Sequence, residues 1–489
     1  MGGPSHATTR PPTEAPIAAP TPARTPASVG RPVQLDALGP RGAFRARNRL
    51  TLADVTGRPV AELSQVPRLF VQRGLAALRV ARPAGTGEPA EVIARAGHAF
   101  AHGTVGGLSA PEYRRLVSRV SGVPIAVVRS ATARIERAAA EVDRTVRGAR
   151  PTATAGHWRD PLTRGGGAVW ARRGDVFAVH AAGNHPGVHS LWLEALMLGY
   201  RVVVRPSARE PFTPHRLVTA LREAGIGDDR LLLLPTDHQV ADDIVRGADL
   251  SLVYGGDAVV EKYRARPDVL TQGPGRSKIL LADADTGGAA GLSAALDTVV
   301  SSIRDEAGVA CVNATAVLVA GDPAPVAEAL AERLADLPAL PPEDDRAVLP
   351  VRPTEEARGL EKYLLGHADG ATPWLGGAGI VEELGDGSAV LRPAVLQLDR
   401  PDAPQLGTEL PFPCVWVAPW SPRDGVAPLR NTLVLTVIGG DEQLVERLVD
   451  EPGIRNVHVG DHPTHRMAPG VPHDGHLAEF LMRSKAVFR

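Results

Sequence analysis

The chain has 489 residues, too many for one ordinary hydrophobic core, so two or three domains are expected. Lys and Arg total 54 against 55 Asp and Glu, a balance that excludes the strongly basic face of a nucleic-acid binder. Two cysteines make no disulfide framework and point to a reducing, cytoplasmic setting.

Residues 1–33 are mostly Pro, Ala, Thr and Ser and are expected to form a disordered tail, because they hold too little apolar surface to offset the entropy of ordering. They lack the apolar centre of a signal peptide, and no apolar run of membrane-spanning length follows. Residues 34–150 are expected to form a mainly helical region. LFVQRGLAALRVA (69–81) has helical spacing, and SATARIERAAAEVDRTV (130–146) continues in good helix formers behind Ser130 as cap.

From 175 apolar strands and amphipathic helices alternate. DVFAVHA (175–181), RVVVRP (201–206), RLLLLP (230–235), ADLSLVYGGD (248–257) and SKILLA (277–282) read as strands. Helices are expected around 187–198, over 213–225 with Thr213 as cap and Gly225 at the exit, and over 238–248. In a parallel sheet of this kind ligands sit beyond the carboxyl ends of the strands. The turns there carry Asn184 in AAGNHPG, Arg205, Ser207 and Arg209 in VVVRPSAR, and Gly255 and Gly256 in YGGD. Asn184 is an amide donor suited to an oxyanion, or a turn residue. The arginines suit a phosphate, or plain solvent. The Gly-Gly turn suits a diphosphate at a helix start, although Gly-Gly by itself is a weak signal. Neither G-x-G-x-x-G nor G-x-x-x-x-G-K-[ST] occurs.

Further on, 292–308 and 325–337 are expected helices, 338–350 an exposed connection, and TLVLTVIGG (432–440) a strand, in a tail from 431 that is expected to pack back on the cofactor domain or on a partner subunit. Cys311 lies in GVACVNAT. By itself such a cysteine is more often buried and inert. Cys414, in PFPCVWV, is explained by packing in a strand.

Taken in order, AGNHPG, VVVRPS, EAGIGDDR, LVYGGD, GPGRSKILLADAD and GVACVNATAVLV resemble the aldehyde dehydrogenase superfamily, and LGTELPFPCVWV (406–417) resembles its Glu-x-Phe region. The resemblance implies an α/β fold with a Rossmann-type cofactor domain and a second α/β catalytic domain, divided here as 151–285 and 286–430, with 431–489 as a C-terminal segment suited to oligomerisation. It implies Cys311 as nucleophile, Asn184 as oxyanion donor, Arg205, Ser207, Arg209, Gly255 and Gly256 at the cofactor, Glu409 and Phe412 at the nicotinamide end, and a homodimer or homotetramer. The family's water-activating glutamate falls at Gln272, in TQGPGR, and a neutral amide cannot act as that base. The chain therefore looks more like the acylating branch that reduces acyl thioesters, which includes the fatty acyl reductases of bioluminescence. Its partners would be acyl-CoA or an acyl-carrier protein. Glu306, five residues before Cys311, is either a substitute base or a helix-surface acid. Ala208 replaces an acidic residue often found there in the family, and together with Arg205 and Arg209 this favours NADPH, with NADH as the alternative. No metal is expected. His180, His185 and His189 lack a zincin's glutamate, and His458, His462 and His465 lie in a polar loop. The rival readings are aldehyde oxidation, by hydrolysis or by transfer to CoA, and a noncatalytic scaffold of the same fold.

Overall fold

A computed structural model describes residues 32–80, 89–283, 288–468 and 470–489. The expected tail therefore lies outside the described residues, apart from 32 and 33. Two seven-stranded sheets carry the architecture.

In the first sheet, Val269–Gln272, Leu250–Tyr254, Val176–His180, Arg201–Arg205 and Leu231–Leu233 run parallel in that order, and the short hairpin Ala37–Gly39 and Gly42–Phe44 extends one edge. Alternate residues face opposite layers, which is why these strands are apolar throughout. Phe177, Val179, Val202 and Val204 pack with Ile93, Phe100 and Ile135. Val176, Ala178, Val203 and Leu232 pack with Leu75, Leu78 and Ile244. Each such side chain, when fully buried, contributes about 1.5–3 kcal/mol. The sheet order reverses beside Val176–His180, so the crevice beyond His180 and Tyr254 is the topological switch point.

The second sheet runs Thr372–Leu375, Ala394–Gln397, Cys414–Trp420, Ala314–Ala320, Ser277–Leu281, Thr432–Ile438 and Ile454–Val459. All neighbours are parallel except the first pair. One sequence expectation is corrected here: Ser277–Leu281 belongs to this sheet, and the fifth parallel strand of the first is Val269–Gln272. The strand at 432–438 pairs inside the second sheet, while the end of the same tail returns to the 151–285 segment through Met482–Val487. Only residues 273–276 separate the end of a first-sheet strand from the start of a second-sheet strand. The carboxyl edge of one sheet therefore faces the amino edge of the other.

Residues 34–150 are less uniformly helical than expected. Short strands occupy 33–64, and helices Arg68–Val80, Ala90–His102, Ala110–Ser121, Ile125–Ala140 and Val142–Ala149 follow. Ser130 lies inside a helix that starts behind Pro124 and does not cap it. Thr213 likewise falls inside Phe212–Glu223, where its backbone N–H donates to Glu210 Oε1 at 2.9 Å. The segment 187–198 is broken into a 3-10 turn and the short helix Leu193–Met197. At the C-terminus, helix Leu477–Leu481 packs near Leu193–Met197, with Ala478 N donating to Glu194 at 3.2 Å. Strand Met482–Val487 pairs antiparallel with Gly167–Arg172. No helix of the described residues is long and apolar enough to cross a membrane.

Candidate active site

Cys311 lies in the turn that leads into Ala314–Ala320, at the amino edge of the second sheet. Three features shape that turn. Glu306, Ala307 and Gly308 take successive positive φ values of 59°, 59° and 65°. Left-handed backbone costs about 1–2 kcal/mol per non-glycine residue, so the surroundings must hold it. A side chain at Gly308 would collide with the backbone of Phe412 and Pro413. Asn313 closes the turn from below, accepting from Ala310 N at 2.9 Å and donating to the Ser302 carbonyl at 3.0 Å.

The first sheet's edge meets this turn directly. Asn184 Nδ2 donates to the Val309 carbonyl at 2.9 Å, two residues before the cysteine. Ser277 Oγ donates to the Cys311 carbonyl at 3.0 Å, and a Cβ at Gly275 would overlap that same carbonyl. Arg276, with φ 47°, stitches the linker to both sides. Its N–H donates to Glu409 at 2.9 Å, its Nε to the Gly407 carbonyl at 2.7 Å, and its guanidinium to Asp257 at 2.5 Å.

Electrostatics around the thiol are unusual for a nucleophile. Burial pushes Cys311 up to about 12, helped by the charges of Glu409 and Asp474 and opposed by the backbone N–H groups of Cys311 and Val312. The side chain closest to relieving this is His473, whose Nε2 stands 3.9 Å from Cys311 Sγ. Burial pushes His473 below the usual imidazole range, opposed by the charge of Asp474. Its backbone carbonyl is held by the Asn456 side chain. The 162-residue separation left no local sequence signal for this pair.

Glu306 is neither a surface acid nor a free base. Arg134, from helix Ile125–Ala140, donates to its two oxygens at 2.7 and 2.6 Å, and His185 Nε2 lies 2.8 Å away. Burial pushes the carboxyl up, but hydrogen bonds and charges from His185 and Arg134 outweigh it and hold Glu306 well below the usual carboxylate range. His185 Nδ1 lies 3.0 Å from Gly187 N, which turns Nε2 toward Glu306. Gln272 is buried at the end of its strand, three residues before Gly275.

The cofactor residues are divided. Gly255 and Gly256 separate Leu250–Tyr254 from helix Asp257–Tyr263, and Gly256 has open space where a Cβ would stand. Arg205 is turned onto Thr236, at 3.4 Å from its hydroxyl and 3.1 Å from its carbonyl. Ser207 accepts from Arg209 N, and exposed Arg209 reaches Glu356 at 3.3 Å. Glu409 stands near the thiol, with burial pushing its carboxyl up. Phe412 is fully buried in the second sheet's core with Leu410 and Cys414. Cys414 is a free, buried packing residue. The two histidine groups weighed in the sequence do not gather donors. Among the described residues the grouping that does is His98, His102 and Glu136, which the i,i+4 spacing of HAFAH could have signalled.

A cysteine turn closed against the switch point of a parallel sheet is the arrangement of an α/β oxidoreductase fold. The chain belongs to the aldehyde dehydrogenase family, whose model matches residues 178–478, more than half of its length. It is 28% identical over 162 residues to malonate-semialdehyde dehydrogenase 1 of Geobacillus thermodenitrificans, a match that covers 31% of each protein. Solved structures share the fold over nearly all of the chain. Indole-3-acetaldehyde dehydrogenase of P. syringae, in complex with NAD+, has a TM-score of 0.78 at 18% identity, covering 93% of this chain and 96% of that one. Aldehyde dehydrogenase 21 of Physcomitrella patens, in complex with succinate, has 0.77 at 15%, covering 94% and 98%.

Proposed function

We propose that this protein reduces an acyl thioester, carried by CoA or a carrier protein, to an aldehyde through an acyl-Cys311 intermediate. The observation that carries this reading is the set of proton acceptors near the thiol. The family's water-activating glutamate is replaced by Gln272, Glu306 is locked to Arg134 and His185, and the group in reach of Sγ is the imidazole of His473. Thioester exchange needs no activated water. The thiol proton passes to His473 Nε2, Cys311 Sγ attacks the thioester carbonyl, and the departing thiolate takes a proton back. Asn184, which uses one amide hydrogen on Val309, has a second for the oxyanion.

The turn at 255–257 fits a dinucleotide, because Gly256 leaves open space beyond the strand end at the switch point. Gly255 and Gly256 would hold the diphosphate and Glu409 a ribose hydroxyl. Arg209 would exchange its exposed partner Glu356 for a 2′-phosphate, which favours NADPH over NADH. When bound, the reduced nicotinamide would supply hydride to the acyl carbon; cleavage of the C–S bond to Cys311 then releases the aldehyde and leaves the Cys311 thiolate, which takes up a proton. Phe412 does not face this space, since its ring lies in the core.

A second reading is NAD(P)-dependent aldehyde oxidation. The names of the structural relatives favour it, and so does His473, which could accept a proton from water as readily as from the thiol. Nicotinamide absorbance decides between them. Thioester-dependent consumption of NADPH that vanishes in Cys311→Ala establishes reduction. Aldehyde-dependent formation of NAD(P)H, with no thioester-dependent consumption, establishes oxidation instead.

A further inference from the structure

Helices Ala90–His102 and Ile125–Ala140 pack closely because Gly97 presents no side chain where Ala139 sits; a Cβ at Gly97 would overlap that of Ala139. This contact lays two imidazoles from one helix over a carboxylate from the other. His98 Nδ1 is 3.0 Å from Glu136 Oε1, and His102 Nε2 is 3.0 Å from Glu136 Oε2. All three donor atoms lie within 4.8 Å of one another. The two histidines are four residues apart, one helical turn, on the same face.

We propose that His98, His102 and Glu136 form a binding site for a divalent transition-metal ion of the zinc, cobalt and nickel group. The site is remote in role from Cys311, and the inference does not depend on the reaction proposed above. Its donor set has the chemistry these ions prefer, two imidazoles and one carboxylate, with fourth and further positions left to water. Tetrahedral bonds of about 2.0–2.1 Å put donors about 3.3 Å apart. Two of the three edges are already close to that, and rotation of an exposed imidazole closes the third. Among the described residues Glu136 has no Arg or Lys ion-pair partner. The His98 and His102 side chains are 73% and 56% exposed, which leaves an open path for an ion and its waters. Calcium and magnesium are disfavoured, since they take oxygen ligands.

The test uses full-length chain purified without a histidine tag, stripped with chelator, in a Cys311→Ala background that removes the active-site thiol. Cobalt(II) is titrated while the visible d–d bands and the thermal midpoint are followed, and zinc(II) is then added in competition. The proposal expects one equivalent bound, d–d absorption that zinc displaces, and a rise of several degrees in the midpoint. In His98→Ala/His102→Ala these signals are lost. Glu136→Gln, which leaves both helices' packing intact, weakens binding about ten-fold or more. Equal binding by parent and variants, or no binding by the parent at micromolar metal, overturns it. If the double variant fails to fold, Glu136→Gln alone decides, since unchanged affinity there also overturns the proposal.

Discussion

Glu306 stays ionised in a nearly dry site because Arg134 offers it two N–H groups and His185 a third contact. Removing one partner of such a pair leaves a buried charge uncompensated, which costs roughly 3–5 kcal/mol. Arg134→Met should therefore lower the unfolding free energy by about that much in urea titrations, and Arg134→Met with Glu306→Gln should recover a good part of it. A single variant as stable as the parent would remove Arg134 from its role as support for the left-handed turn. His473 is a different kind of neighbour, one that touches the reacting sulfur. His473→Asn should slow turnover on the order of 10²-fold, as expected for loss of a positioned base. It should also slow iodoacetamide alkylation of Cys311 at neutral pH, while at high pH, where the thiol ionises unaided, the two proteins converge. Equal alkylation rates at every pH would rule out proton transfer to His473.

Four strands of the first sheet, Val176–His180, Arg201–Arg205, Leu231–Leu233 and Leu250–Tyr254, were legible as apolar runs bounded by Pro and Gly, whereas Val269–Gln272 was not read and the helix ends slipped at Thr213 and across 187–198. What could not be read was which sheet Ser277–Leu281 joins. A strand buried on both faces looks the same in either sheet, and the switch is made by residues 273–276, whose geometry depends on contacts with 257, 407 and 409. For the same reason the site was half legible. Cys311 and Asn184 stand in local motifs that meet in space. Arg134 and His473 come from distant helical and C-terminal segments with no motif of their own. The linker also bears a sharp test. Gly275→Ala places a methyl on the carbonyl of Cys311, and displacing a reacting group by about 1 Å costs on the order of 10²-fold in rate. The variant should lose that much turnover, together with about 1–3 kcal/mol of stability from overpacking. Crystallography of the variant would show whether the turn has moved; wild-type turnover would mean the linker yields instead.

Across the whole molecule, buried acids and buried histidines pull the pH response near neutrality in opposite directions. Burial pushes Glu194 and Glu210 up to about 7 from 4.5. A raised carboxyl folds best while protonated, so its contribution is complete below pH 4.5 and is lost as pH rises to about 7. Glu306 acts on the other side. Its depressed value adds stability above pH 4.5 that is lost on further acidification. Buried His180, His189 and His215, pushed down to about 3, 3 and 4 from 6.5, act the other way, since the unfolded chain takes up their protons first as pH falls through about 6.5. Glu210→Gln should therefore raise the thermal midpoint relative to the parent more at pH 7.5 than at pH 5; an equal difference at both would remove Glu210 as a source. The C-terminal segment imposes a limit of another kind. His473 is tied to the second sheet through Asn456, while Leu481, the last residue of helix Leu477–Leu481, is tied to the side of the first sheet through Arg173 and Tyr200. The stretch from 473 to 477 can span at most about 14 Å. It is a short leash between the two sheets beside Cys311, and it limits how far its two anchors can part.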